Sequence, residues 1–140
     1  MFEFHITVHP RRADDRPGAT FKLRGQSVPT LLVDPAARHF SVTFEEACDS
    51  LQALGRMFVE PDGSLVWTGE NDNDRWQLEG VLYDECNNLL YAEIWGRCPP
   101  THLDQLLGIF GWPRTECIFC LVREGVWLDE SEFRRFALRS

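Results

Sequence analysis

With 140 residues, 44% of them hydrophobic and including five tryptophans and ten phenylalanines, the chain has the length and apolar material for one domain, residues 1–140, around one core. A net charge of −8 and an isoelectric point near 4.9 argue against nucleic acid and anionic membrane as partners, and favour a basic protein surface or a cationic ligand. No apolar run approaches the about 18 residues of a membrane span; residues 1–10 alternate instead of forming a secretory hydrophobic block, and five cysteines, an odd count, suit reduced thiols, so the expected setting is cytoplasmic.

Phe2, Phe4, Ile6 and Val8 alternate with Glu3, His5, Thr7 and His9, the period of a half-buried strand, which Pro10 ends. His5 and His9 share a side. Four strand residues separate them by about 13 Å, too far for one metal ion, so the pair reads as a solvent-facing use of histidine. Residues 11–20 hold Arg11, Arg12 and Arg16 interleaved with Asp14 and Asp15, then Pro17-Gly18, and read as a solvated loop. Short strands are expected at 21–23 and 30–33, with Pro35 closing the second.

Thr43 with Glu46 makes a capping box for a helix at about 44–54, whose stripe is Phe44, Ala47, Cys48, Leu51 and Leu54 and whose stop is Gly55. A second helix, about 102–110, carries Leu103, Leu106, Leu107 and Phe110, with Thr101 and Asp104 at its start and Gly111 and Pro113 beyond its end. Residues 115–122 are β-rich. A third helix, about 130–138, is capped by Asp129 with Glu132, and Arg134, Arg135 and Arg139 suit its negative end.

Between the first two helices lies the organising stretch, an antiparallel meander with strands at about 57–60, 64–70, 75–83 and 89–96. Pro61-Asp62-Gly63 turns the first hairpin and places Val59 against Leu65 and Met57 against Trp67. Asn71 to Asp74 turns the second, setting Glu70 against Arg75 and Trp67 against Leu78. A five-residue turn at 84–88 pairs Tyr83 with Leu89, Gly80 with Ala92 and Leu78 with Ile94. One face, A, then holds Met57, Val59, Leu65, Trp67, Trp76, Leu78, Leu82, Leu90, Ala92 and Ile94 without a charge, and must be buried. The fold class is therefore α+β, an antiparallel sheet with helices packed mainly on face A.

The opposite face, B, sets Glu79 directly across from Glu93, among Gln77, Tyr83, Tyr91 and Trp95. Two carboxylates at about 5 Å repel by roughly 1 kcal/mol in water and about 3 at an effective dielectric of 20, so the pair is cheap in open solvent and calls for a cation only if covered. Rigid aromatic anchors beside carboxylates attract lysine or arginine. The expected function is thus a non-catalytic binding or protein-interaction domain that works through this aromatic and acidic face. The competing reading is a small hydrolase using Glu79 and Glu93 as an acid and base pair, at the separation of a retaining glycosidase. No nucleophile elbow, phosphate loop, dinucleotide fingerprint or metalloprotease helix occurs, and no cofactor is expected.

Cys98, His102, Cys117 and Cys120 nominally have zinc spacing and make a zinc-stabilised domain the third reading. Against it, Cys117 and Cys120 lie in an apolar strand whose alternation sends their sulfurs to opposite faces. Glu70, Asp72 and Asp74 alternate like the opening of a calcium loop, but Arg75 and Val81 stand where its glycine and closing glutamate belong.

Overall fold

A computed structural model of the chain describes residues 1–36 and 38–138, so Arg139, assigned above to the last helix, lies outside the described residues. The elements in chain order are β1 (Phe2–Pro10), β2 (Arg16–Leu23), β3 (Gln26–Leu32), α1 (Phe44–Gln52), β4 (Met57–Val59), β5 (Ser64–Asn71), β6 (Asp74–Glu85), β7 (Asn88–Cys98), α2 (Pro100–Ile109), β8 (Cys117–Leu121), β9 (Val126–Leu128) and α3 (Glu130–Ala137). The strands form one nine-stranded antiparallel sheet in the order β2-β3-β9-β8-β1-β7-β6-β5-β4. This is the α+β architecture expected.

The first two hairpins have the predicted register, with Met57 against Trp67, Val59 against Leu65, Trp67 against Leu78 and Glu70 against Arg75. The third does not. Its turn is the two-residue Cys86-Asn87, both at positive φ, with Glu85 against Asn88 and an irregularity between Tyr83 and Asp84. Pairing therefore moves by two residues, to Tyr83 with Tyr91, Val81 with Glu93, Glu79 with Trp95 and Leu78 with Gly96. A shift of two preserves which face a side chain takes, so face A survives. Only the bulge reverses a pair: Leu89, predicted for face B, is fully buried, while Leu90 is half-buried.

β1 serves as the central strand, pairing with β7 on one side and β8 on the other, so it both extends the meander and joins the carboxy-terminal strand. Its Phe4, Ile6 and Val8 continue face A, at 6% exposure or less. Phe133 of α3 lies on that face, stacked on Phe119 at 4.2 Å and edge-on to Phe4 at 5.5 Å. α2 buries Leu103, Leu106, Leu107 and Phe110, the last stacked on Phe40 at 5.3 Å, and α1 buries Ala47 and Leu51.

Thr43 and Glu46 form their capping box, and Asp129 accepts from the Glu132 amide. Two end signals act differently from expectation. Helix α1 ends at Ala53, and the left-handed residue after it is Arg56 at φ 63, not Gly55. Helix α2 starts at Pro100 with no side-chain cap, because proline at the first position needs no amide partner; Asp104 instead pairs with Arg134 at 2.7 Å.

The expected solvated loop at 11–20 is also corrected. Residues 16–20 belong to β2, whose hairpin with β3 turns at Arg24-Gly25, both at positive φ. Asp15 is buried, with its side chain bridged to Arg38 through two 2.7 Å hydrogen bonds. Among the described residues no helix is long and apolar enough to cross a membrane.

Candidate functional site: the aromatic and acidic sheet face

Because all three helices serve face A, face B is left as a sheet surface on which side chains shield one another in cross-strand rows. One row runs His5, Trp95, Glu79, Val66 and Phe58 across β1, β7, β6, β5 and β4. The next runs Trp127, Cys120, Thr7, Glu93, Val81 and Ser64 from β9 to β5. A third begins at Ile118 and passes through His9, Tyr91 and Tyr83.

Glu93 is the hub. Its Oε2 lies 2.7 Å from His5 Nε2, and its Oε1 accepts a long 3.4 Å hydrogen bond from the Tyr83 hydroxyl. The His5 and Glu93 side chains are 31% and 28% exposed, enough for a ligand to reach them. Tyr83 stacks on Tyr91 at 4.6 Å, Tyr91 on His9 at 5.0 Å, and His9 meets the Trp127 ring at 4.6 Å, while Trp95 flanks His5 at 5.7 Å. Burial and the neighbouring Glu93 carboxylate raise the Tyr83 phenol above its usual pKa, so at neutral pH it stays a donor.

The six binding residues expected from sequence thus fall into two groups. Glu93, Tyr83 and Tyr91 meet in the middle of the face, with Trp95 beside them. Glu79 and Gln77 stand apart, lining a depression at the end of the meander. Glu79 does not oppose Glu93: it faces Trp95, and the two glutamates become diagonal neighbours, about 7–8 Å apart at Cα. Nor are both unpaired, since Glu93 is engaged by His5 and Tyr83 while the Glu79 side chain makes no hydrogen bond or ion pair among the described residues.

The zinc-spaced residues are not brought together. Cys98 pairs with Phe2 and Cys117 with Pro10, at opposite ends of β1, roughly 26 Å of strand apart. His102 lies against the Trp76 and Trp67 rings at 4.7 and 5.3 Å, and Cys120 faces the other side of the sheet beside Thr7. Burial pushes the thiols of Cys98 and Cys117 up to about 12, which leaves them protonated and poor nucleophiles. No group of three candidate metal ligands occurs among the described residues. Glu70, Asp72 and Asp74 surround a two-residue hairpin turn at Asp72-Asn73, and Asp74 is paired with Arg97 at 3.0 Å.

Sequence reasoning missed His5, His9 and Trp127 as members of this face. Their alternation on β1 was visible, but the placement of β1 beside β7 was not, and β9 is only three residues long. No family model, curated protein or solved structure matches the chain.

Proposed function

We propose that the protein is a non-catalytic binding domain whose face B captures a basic segment of a partner protein, seating a lysine or arginine against Glu93 between the rings of Tyr83, Tyr91 and Trp95. The observation that supports this most is the half-exposed Glu93 carboxylate set in an aromatic surface that no helix covers. A carboxylate offers about four acceptor positions, and His5 and Tyr83 occupy two.

Magnitudes favour a protein over a small cation. A charge-assisted hydrogen bond contributes about 1.5–3 kcal/mol and a partly exposed cation–π contact about 0.5–2. Their sum, about 5 kcal/mol at most, corresponds to a few tenths of a millimolar at best, so useful affinity requires the further contacts of a macromolecule. The net charge of −8 steers such a partner inward and disfavours nucleic acid and anionic membrane. The same reading places the protein in the cytoplasm, where its five free cysteines stay reduced.

The test is calorimetric titration with a synthetic arginine- and lysine-rich peptide. Glu93→Gln combined with Trp95→Ala is expected to weaken binding at least tenfold with the thermal midpoint nearly unchanged. Asp49→Asn, which removes one exposed charge from α1, is expected to change it by under about threefold. Equal loss in both would reduce the attraction to net charge, and no loss in the double variant would remove face B from the function.

A further inference from the structure

At the end of face B, beyond Trp95, β7 reaches Gly96, which stands at φ 122 with no room for a side chain: a Cβ there would lie 2.2 Å from the Gln77 carbonyl oxygen. The backbone is drawn inward, and a depression of about 600 Å³ opens beside it, bordered by Arg56, Thr68, Arg75, Gln77, Glu79 and Arg97. A second hollow of about 340 Å³ adjoins it and shares Arg56, Thr68, Gly69 and Trp76.

The lining is unusual for a chain with 22 acidic residues against 14 basic ones, in which most arginines should find a carboxylate. Arg97 does, holding Asp74 at 3.0 and 3.2 Å. The guanidinium groups of Arg56 and Arg75 have no hydrogen bond or ion pair among the described residues, although Glu70 faces Arg75 across the hairpin and Glu79 stands on the rim. Arg56 is held there at a positive φ that non-glycine residues rarely adopt. The floor is the backbone around Gly69 and Gly96, and the Trp76 indole lies on the other side of the sheet, against the His102 ring at 4.7 Å.

We propose that this depression is an oxyanion-binding site, taking a carboxylate or phosphate group between Arg56 and Arg75 above Thr68 and Gln77. Nearly every polar group around it donates: two free guanidinium forks, whose planar geometry matches two oxygens at once, the Gln77 amide and the Thr68 hydroxyl. Glu79 is the unpaired carboxylate on this rim and sets the orientation of the ligand by keeping its oxygens on the arginine side. The site is independent of cation capture at Glu93.

The test uses the intact chain labelled with nitrogen-15, following the Gln77 side-chain amide signals, assigned by their loss in Gln77→Leu, while sodium phosphate or sodium citrate is added at constant ionic strength. A saturable shift with a millimolar midpoint is expected from at least one probe, and which probe binds more tightly identifies the phosphoryl or the carboxylate source. Arg56→Gln with Arg75→Gln should raise the midpoint at least tenfold, whereas Arg123→Gln, outside the depression, and Glu93→Gln with Trp95→Ala should leave it in place. The proposal fails if neither probe gives a saturable shift, or if the shift survives the Arg56 and Arg75 double substitution.

Discussion

His5 and His9 leave one strand on one side, two alternations apart, yet their surroundings differ in kind. His5 is about a third exposed and is hydrogen-bonded to Glu93, itself open to solvent. His9 is 6% exposed, held between Tyr91 and Trp127, with Nε2 on the Thr7 hydroxyl at 2.8 Å. The difference comes from what lies at each end of the strand. Past His9 the chain folds back, and Asp15 and Arg38 close over that end with Arg38 also donating to the carbonyls of Pro10 and Asp34. Nothing comparable covers His5. One sheet face therefore carries a sealed end and an open end, and the distinction lies in the loops, not in the strand.

The sealed end should break first and most severely. Asp15→Ala would leave the Arg38 guanidinium buried without a counter-charge, at a cost of about 3–5 kcal/mol in urea unfolding, whereas replacing both partners by apolar residues of similar volume, Asp15→Leu with Arg38→Met, should be nearly neutral or stabilising. Equal losses from the single and double changes would show that the bridge is not the seal.

Acid should separate the two histidines next. Burial first, then the nearby Arg38 charge, lowers the His9 pKa from 6.5 to about 4 despite the opposing effect of Asp15. Below pH 6.5 the unfolded chain takes up a proton that folded His9 refuses, so stability falls as pH drops and levels off below about 4. At about 1.36 kcal/mol per unit the loss is roughly 3 kcal/mol. Asp15 extends the loss to lower pH: burial alone would raise its pKa, but the hydrogen bonds from Arg38 and Arg12 outweigh it, so its stabilisation is present above the ordinary carboxylate pKa and fades as acid protonates it. Urea midpoints at pH 7, 5.5 and 4.5 should show this slope in the parent and lose most of the His9 part in His9→Gln.

How much of this was legible in the sequence follows the same division. The meander was readable because its first two turns are local: Pro61-Asp62-Gly63 and Asp72-Asn73 carry their own backbone preferences. The third was misread because Cys86-Asn87 owes its geometry to a distant element. The Asn87 carbonyl accepts from the Phe44 amide and its side chain from the Glu45 amide, so the turn also caps α1. That tertiary demand moved the register by two and separated Glu79 from Glu93. Asp15 and Arg38, 23 positions apart in segments without periodicity, gave no signal at all. Nor did the arginine depression, whose members come from β5, β6, β7 and the chain before β4.

The smallest effect tests the open end. His5→Gln removes one half-exposed hydrogen bond to Glu93 and an imidazole flanking Trp95, so its cost to stability should stay under about 1 kcal/mol. Its effect on binding should have the opposite sign. His5 competes with an incoming cation for Glu93 Oε2, and a glutamine, with a shorter reach, competes less; the arginine- and lysine-rich peptide should therefore bind His5→Gln a few-fold more tightly than the parent. A weaker peptide complex in His5→Gln would mean that His5 helps hold the ligand, and that the open end is a histidine–glutamate site rather than a carboxylate one.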